Sequence, residues 1–108
     1  MSNPAPYLES APDRADVEHQ AGFYLLEFGA DWCGHCQAAQ PAITAALNHH
    51  PTLRHQKIED GPGRQLGRSF RVKLWPTLIL LKDGIEVGRV VRPVTAAEVS
   101  ELLGVYSG

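Results

Sequence analysis

Apolar and polar positions form segments along this chain whose lengths match strands and helices. Phe23 to Phe28 is almost continuously apolar, which is typical of a central strand buried on both faces, and Glu27 is the one acid within it. From Cys33 to His49 apolar residues recur at helical spacing and Pro51 follows, so this segment is predicted to be a helix. Pro41 lies within that helix and is expected to kink it.

The second half of the chain contains a clearer pair of strands. Thr77 to Lys82 and Ile85 to Val91 are rich in apolar residues and flank Asp83-Gly84, a dipeptide that favours the tight turn of an antiparallel hairpin. Thr95 to Glu98 matches a helix capping box, and apolar residues recur at helical spacing from there to Tyr106. An amphipathic C-terminal helix is therefore expected.

Weaker patterns occupy the rest of the chain. Residues 1–12 are predicted to form an irregular arm with a short strand around Tyr7, and residues 13–20 a short helix. Residues 53–59 are a strand candidate and residues 64–70 a further short helix. The order of elements, with strand-helix-strand early and an antiparallel pair late, predicts an α/β fold whose central mixed sheet has helices on both faces.

Length and charge limit the size of the fold and its partners. The chain has 108 residues, which predicts one domain over residues 1–108. Its formal net charge is −2 and it has no basic stripe, so we expect neither nucleic acid nor an anionic membrane as partner. We find no signal-peptide pattern at the N-terminus and no segment near the ~20 apolar residues of a membrane span. If Met1 is the native start, we expect a cytosolic protein, and we expect it to be a monomer.

Both cysteines lie in one short segment, Asp31 to Gln37, with the sequence DWCGHCQ. Two cysteines at this spacing can form half of a zinc site, a structural disulfide or a redox pair. Because cytosolic thiols are kept reduced, a catalytic or metal-binding pair is favoured over a structural one. Zinc needs four ligands and there is no second Cys-x-x-C pair, so zinc is disfavoured, although spacing alone leaves it open. The further ligand candidates are His35, His49, His50 and His55.

The landmarks around the cysteines resemble those of the thioredoxin family. Trp32-Cys33-Gly34-His35-Cys36 follows an apolar strand and begins a helix, as the active site of that family does. Pro41 and Trp75-Pro76-Thr77 stand where the family has its helix proline and its cis-proline. The resemblance covers the chain from Phe23 to the C-terminus, and it implies a thioredoxin fold and thiol-disulfide oxidoreductase activity.

The reaction that follows is thiol-disulfide exchange. Cys33 is expected to attack, because the helix dipole and free backbone N–H groups at a helix N-terminus favour a thiolate there. Cys36, one turn further along, is expected to resolve the mixed disulfide, so that the two cysteines form a redox disulfide. The resemblance implies protein disulfides as substrates and a thioredoxin-reductase-like electron donor. We expect no metal and no cofactor.

Two residues of the motif bear on the redox potential. His35 stands where thioredoxins usually have proline, and Cys-Gly-His-Cys resembles the disulfide isomerase branch of the family. A partly charged imidazole near Cys33 would favour the thiolate and make the disulfide a stronger oxidant. The alternative is a solvated histidine with little effect. Gln37 replaces a common lysine or arginine, which removes a nearby positive charge.

Glu27 is a carboxylate in a strand that is expected to be buried, which is costly unless the acid is paired or neutral. It aligns with the buried acid of the family, and Lys57 resembles the lysine that accompanies that acid. We predict that Glu27 has a raised pKa and acts through water as the base that deprotonates Cys36, so that Glu27 and Lys57 join the two cysteines as catalytic residues. The alternative is an acid on a solvated strand face.

The substrate groove is predicted from the resemblance. Pro76 is expected in cis beside the cysteines, and the backbone of Trp75 is expected to pair with an extended substrate. The two indoles would flank the cysteine pair, although Trp75 could simply pack against a neighbouring loop. Arg92-Pro93 replaces the usual groove glycine, which changes the shape of the groove. The expected substrate-binding residues are Trp32, Gly34, His35, Trp75 and Pro76.

The function predicted from the sequence is reduction or exchange of protein disulfides by the Cys33/Cys36 pair. A binding or chaperone module on a thioredoxin fold is the alternative, and the Trp75 and Arg92-Pro93 departures favour it. A metal-binding protein is the third possibility. The remaining histidines, His49, His50 and His55, are expected to be solvated residues at a helix end and a strand edge.

Overall fold

The computed structural model describes residues 5–106, and the predicted elements are present there in the predicted order. Within those residues no helix is long and apolar enough to cross a membrane. The elements are α1 (Arg14–Glu18), β1 (Phe23–Gly29), α2 (Gly34–Leu47), β2 (Arg54–Glu59), α3 (Gln65–Ser69), β3 (Thr77–Lys82), β4 (Ile85–Val91), α4 (Ala96–Leu102) and a final 3₁₀ turn (Leu103–Val105).

The four strands form one mixed sheet in the order β2-β1-β3-β4. β1 pairs in parallel with β2 and antiparallel with β3, and β3 pairs antiparallel with β4. The most continuous apolar strand of the sequence is therefore bonded on both sides, with Glu27 between Lys57 on β2 and Leu78 on β3. The predicted mixed sheet is confirmed.

Helices cover both faces of the sheet, as the alternation of side chains along the strands requires. On one face Leu25 and Leu80 pack with Ile43 of α2 and Val99 of α4. On the other face Phe28 and Ile79 are among the residues that pack with Val17, Leu66 and Phe70 of the α1 and α3 regions. The active-site segment leaves the end of β1 and enters α2, which lies on the first of these faces.

Local sequence signals fix the ends of several elements. Asp83 and Gly84 form the tight β3–β4 turn with φ of 51° and 80°, the left-handed conformation that such a turn needs. A Cβ on Gly84 would lie 2.1 Å from the carbonyl oxygen of Glu18, so the turn also depends on glycine to pack against α1. The capping box at the start of α4 is confirmed, with Thr95 and Glu98 bonded reciprocally. Helix α2 continues through Pro41, and the expected kink stays a prediction.

The N-terminal arm is tied to the edge of the sheet. The first four residues of the predicted arm lie outside the described residues. Leu8 forms an isolated parallel bridge with Ile58, with its N–H donating to the Lys57 carbonyl and its carbonyl accepting from Glu59, each at 2.9 Å. Tyr7 is thereby buried, with 5% of its surface exposed. The short strand expected there is a single bridge in an otherwise irregular arm.

Candidate active site

The two cysteines meet where β1 ends and α2 begins. Cys33 is the N-cap residue of α2, and its sulfur accepts a hydrogen bond from the backbone N–H of Cys36 at 3.3 Å. Both thiols are free, and both residues are buried, with 7% of Cys33 and 1% of Cys36 exposed. The N-cap position thus places the Cys33 sulfur at the N-terminal end of α2, where the first helical turn presents its backbone N–H groups.

Cys36 is a thiol that resists ionisation. Burial and, after it, the neighbouring Cys33 raise its pKa to about 12, although the Ala30 backbone and the phenol of Tyr7 act to lower it. At neutral pH Cys36 therefore carries its proton. A resolving attack by Cys36 must remove that proton as the new S–S bond forms.

Glu27 is a fully buried acid that receives three hydrogen bonds. The Tyr7 hydroxyl and the Gln40 amide donate to Oε2, the latter at 2.9 Å, and Nε2 of His55 lies 2.8 Å from Oε1. Because a carboxylate only accepts, the His55 Nε2 carries the hydrogen.

The predicted raised pKa of Glu27 is wrong in direction. Burial acts to raise the pKa, but the hydrogen bonds from His55, Tyr7 and Gln40, together with the charge interaction with His55, outweigh it and lower the pKa from its ordinary value of 4.5. Glu27 is therefore an ionised carboxylate at neutral pH. The alternative of an acid on a solvated strand face is excluded, because Glu27 has 0% of its surface exposed.

Lys57 lies near Glu27 but does not pair with it directly. Its Nζ donates to the Ala5 carbonyl at 2.6 Å and to the Gln40 side-chain oxygen at 3.1 Å, and it lies 4.4 Å from the centre of the Tyr7 ring. Gln40 stands between the lysine and Glu27, accepting from one and donating to the other. Lys57 therefore connects to Glu27 through the side-chain amide of Gln40, and its expected catalytic role stays a prediction.

The residue of β2 that contacts Glu27 directly is His55, which was expected to be one of the solvated histidines. That expectation is wrong, since His55 is half-buried and in contact with the acid. The alternation of side chains along β2 could have indicated the contact between His55 and Glu27. Side chains two apart on a strand share a face, so His55 and Lys57 both face α2, and the parallel neighbour of Lys57 is Glu27.

Tyr7 is the second residue that the sequence analysis missed. Its hydroxyl bonds to Glu27 and its ring lies against Cys36. The close approach depends on Gly29, because a Cβ there would lie 2.5 Å from the Cys36 sulfur and 2.9 Å from the phenol oxygen. Burial raises the pKa of Tyr7 well above its ordinary value, and the Glu27 carboxylate raises it further, so the phenol keeps its proton.

Trp32 and Trp75 stand beside the cysteines on the outer side of the site. The Trp75-Pro76 peptide bond is cis, as expected. The two indoles meet edge to face, with ring centres 5.6 Å apart and an interplanar angle of 76°. Trp32 is 73% exposed, while Trp75 is half-buried and its Nε1 donates to Asp60 at 2.8 Å. The indoles form an apolar surface next to Cys33, with Trp75 held in place by a buried carboxylate.

Arg92 occupies part of the predicted substrate groove. Its Nε donates to the Trp75 carbonyl and its backbone N–H to the Pro76 carbonyl, each at 2.8 Å. The residue has a φ of 52°, a left-handed conformation that favours glycine. The backbone of Trp75 was expected to pair with substrate, and its carbonyl already accepts a hydrogen bond from the protein itself.

His35 and Gln37 lie on the exposed side of α2. The Gln37 amide donates to the Asp31 carbonyl at 2.8 Å, which ties the first turn of α2 to the segment before it. The effect of His35 on the redox potential stays a prediction. No group of three or more His, Cys, Asp or Glu residues suited to a metal ion occurs within residues 5–106.

Comparison with known proteins shows the family of the chain. A family model described as Thioredoxin matches residues 8–104 of the chain. The chain belongs to the thioredoxin family. Members of this family are protein-disulfide oxidoreductases.

The chain is similar to thioredoxins from several organisms. It is 53% identical to thioredoxin 2 from Pseudomonas aeruginosa PAO1, whose structure in the reduced form superposes with a TM-score of 0.83 over 93% of this chain and 96% of that one. It is 37% identical to a thioredoxin of Chlamydia pneumoniae over 66% of this chain and 70% of that protein. It is 32% identical to Thioredoxin-2 of Pyricularia oryzae over 78% of this chain, and there it spans about half (49%) of the relative's length.

Proposed function

We propose that this chain is a thiol-disulfide oxidoreductase that reduces or exchanges disulfides in other proteins through Cys33 and Cys36. The observation that carries the proposal is the position of Cys33 as N-cap of α2, with its sulfur bonded to the Cys36 N–H and the buried Cys36 thiol directly behind it. This arrangement supplies one sulfur at a helix N-terminus, where it can attack, and a second that stays protonated until it is needed.

The reaction proceeds in two exchanges. The Cys33 thiolate attacks one sulfur of a substrate disulfide, forms a mixed disulfide and releases the other substrate sulfur as a thiolate. The Cys36 sulfur then attacks Cys33, losing its proton as the Cys33–Cys36 bond forms and the second substrate sulfur leaves. The substrate gains two electrons and the cysteine pair becomes a disulfide.

The cycle requires an electron donor that returns the pair to the dithiol. We propose a thioredoxin-reductase-like protein in this role, as the family implies. The apolar surface of Trp32 and Trp75 supports docking of a protein rather than a small solute, because two adjacent indoles offer a large contact area beside the reactive sulfur. Because the cytosol keeps thiols reduced, it suits such a cycle, and we propose a cytosolic location, which cell fractionation would test. We also propose that the protein is a monomer, which light scattering would test.

Reduction of insulin by dithiothreitol is the direct test of the activity. Wild-type protein is expected to accelerate the precipitation of the reduced insulin chains, and Cys33→Ser is expected to abolish the acceleration. A binding module whose cysteines are incidental would give no rate above background for either protein, and the proposal would then fail.

A trapping experiment tests which cysteine attacks. Cys36→Ser is expected to accumulate mixed disulfides with cellular proteins, because the resolving thiol is absent. Cys33→Ser/Cys36→Ser is the matched control and should capture none. If Cys36→Ser captures no proteins either, Cys33 is not the nucleophile or the partners are not disulfide substrates.

A further inference from the structure

Tyr7 packs in one buried cluster with Cys36 and is also bonded to Glu27. The phenol donates its hydrogen bond to the Glu27 carboxylate. The phenol oxygen and the Cys36 sulfur both lie within 3 Å of the point where a Cβ on Gly29 would stand, at 2.9 and 2.5 Å. The phenol is therefore placed between the thiol that must lose a proton and the acid that is ionised to accept one.

We propose that Tyr7 carries the proton between Cys36 and Glu27 when Cys36 resolves the mixed disulfide. The inference rests on the proposed function, since it assigns the proton route of that function's second exchange. It replaces the water expected between acid and thiol with a protein hydroxyl. In this scheme Tyr7 exchanges a proton with the reacting sulfur and is a catalytic residue, whereas Glu27 acts on Cys36 through Tyr7.

The transfer balances without a free phenolate. As the Cys36 sulfur bonds to Cys33, its proton passes to the Tyr7 oxygen while the Tyr7 proton passes to Glu27, so the phenol ends with one proton, as it began. The leaving substrate thiolate takes a proton from solvent. Glu27, which is ionised at neutral pH, then gives its proton to solvent, and a proton from solvent returns along the same route to Cys36 when the electron donor reduces the Cys33–Cys36 disulfide.

The surroundings of Tyr7 fit this role. The ring is held by the arm, whose backbone is bonded to β2 at Leu8, and by Lys57 Nζ 4.4 Å from the ring centre. The Tyr7 N–H also donates to the Asp31 side chain at 3.1 Å. These contacts fix the phenol without using its hydroxyl, which is left to bond to Glu27 and to face Cys36.

Burial alone cannot account for the contact between the phenol and Glu27, because a phenylalanine would fill the same space. The hydroxyl adds a donor to an acid that already receives hydrogen bonds from Gln40 and His55. A cavity of about 680 Å³ that also reaches Cys36 and Tyr7 offers the competing route, a water that enters from solvent. The two routes differ in whether the rate depends on the phenol hydroxyl.

The test separates the two exchanges with a chromogenic aromatic disulfide whose thiolate product absorbs visible light. Reduced wild-type protein is expected to release one thiolate as Cys33 attacks and a second as Cys36 resolves, giving two phases in stopped flow. Tyr7→Phe keeps the ring and removes the hydroxyl. It should leave the first phase unchanged and slow the second by roughly 10²-fold at pH 7, a typical contribution of general acid–base catalysis.

The pH profile distinguishes proton transfer from a merely structural effect. In Tyr7→Phe the second phase should recover toward the wild-type rate as pH rises, because hydroxide then removes the Cys36 proton directly. Tyr24→Phe, which removes a hydroxyl from a half-buried tyrosine of β1 away from the cysteines, is the matched control and should behave as wild type. Glu27→Gln should slow the second phase, and adding Tyr7→Phe to it should slow that phase little further, because both act in one route.

Different results would contradict the exchange reaction of the cysteines and the role of Tyr7 in it. Absence of the first phase in wild-type protein would overturn the proposed function. A normal first phase together with a second phase unchanged by Tyr7→Phe would overturn the inference alone and assign the proton to cavity water. If Tyr7→Phe does not fold, wild-type protein with fluorotyrosine in place of Tyr7 decides: a phenol of altered acidity should change the rate of the second phase and not the first, and an unchanged second phase would assign the proton to cavity water.

Discussion

The imidazole of His55 donates a hydrogen bond to the fully buried Glu27, with Nε2 2.8 Å from Oε1. Removing this donor leaves a buried carboxylate with one fewer hydrogen bond. We therefore expect His55→Leu to lower the free energy of unfolding in urea by about 1–3 kcal/mol, the usual range for a buried polar group that loses a partner.

Two further variants check that the lower stability of His55→Leu comes from the buried Glu27 carboxylate. Glu27→Gln/His55→Leu should be destabilised by less than the sum of the two single changes, because the carboxylate that needs His55 is gone. Removal of a solvated histidine, His49→Leu, is the matched control and should change stability little. If the double variant is destabilised by the full sum of the two single changes, His55 and Glu27 do not stabilise each other.

Glu27 also makes stability depend on acid pH. Its pKa in the folded protein lies below the ordinary 4.5. At a pH between the folded pKa and 4.5, the unfolded chain therefore binds a proton that the folded chain does not. The contribution of Glu27 is complete above about pH 4.5 and is lost as the pH falls through the folded pKa. The free energy of unfolding of Glu27→Gln, measured by urea titration across this range, should therefore fall less steeply with acid than that of wild type. Parallel curves would contradict the lowered pKa.

Asp60 holds Trp75 beside the cysteines through a 2.8 Å hydrogen bond from the indole N–H. Asp60→Ala removes the acceptor, so the Trp75 ring should lose its fixed orientation and KM for insulin should rise several-fold with a smaller change in kcat. Asp60→Asn retains an acceptor and is expected to stay close to wild type. Fluorescence anisotropy of Trp75 in a Trp32→Phe background reports the ring directly, and an unchanged anisotropy in Asp60→Ala would show that Asp60 does not hold it.

Much of this fold follows from local patterns in the sequence. The apolar run of β1, the Asp83-Gly84 turn and the Thr95 capping box each depend on residues close together in the chain, and each is present in the structure. The surroundings of Glu27 depend instead on contacts across the fold. Tyr7 reaches the acid from an arm without regular structure, and no pattern in residues 1–12 shows where that arm packs.

The dependence on contacts across the fold also explains why two predictions were wrong: that His55 is solvated, and that the pKa of Glu27 is raised. Sheet register places both Lys57 and His55 on the face of Glu27, and only packing decides that Gln40 of α2 separates the lysine from the acid while the histidine reaches it. The direction of the Glu27 pKa follows from that packing. A buried acid with no donors has a raised pKa, and three donors reverse the shift.

Variants of Arg92 test whether a substrate pairs with the Trp75 carbonyl in the groove. Its guanidinium donates to the Trp75 carbonyl from a backbone with a φ of 52°. Arg92→Gly suits that backbone and frees the carbonyl, so an extended disulfide peptide should bind with a lower KM if it pairs with Trp75. Arg92→Ala frees the carbonyl without the relief of backbone strain and should show the same fall in KM with lower stability. A KM that rises in both variants would mean that the guanidinium itself contacts the substrate.

Gly29 is the residue that lets Tyr7 and Cys36 approach each other. A Cβ at this position would stand 2.5 Å from the Cys36 sulfur and 2.9 Å from the phenol oxygen, closer than such atoms pack, so one of the two side chains must move. We expect Gly29→Ala to reduce the free energy of unfolding by about 1–3 kcal/mol, as overpacked cores do, and to slow the resolving exchange more than the first attack.

Gly104→Ala is the matched control for Gly29→Ala. A Cβ on Gly104 meets nothing within 4 Å, so any general effect of adding a methyl group in this fold would appear in both variants. The two should differ in urea unfolding and in the second phase of the stopped-flow reaction, because only at Gly29 does the methyl group separate the phenol from the sulfur. Equal stability and equal resolving rates in the two variants would show that the site accommodates the methyl group, and that the close contact of Tyr7 with Cys36 is not needed for the second exchange.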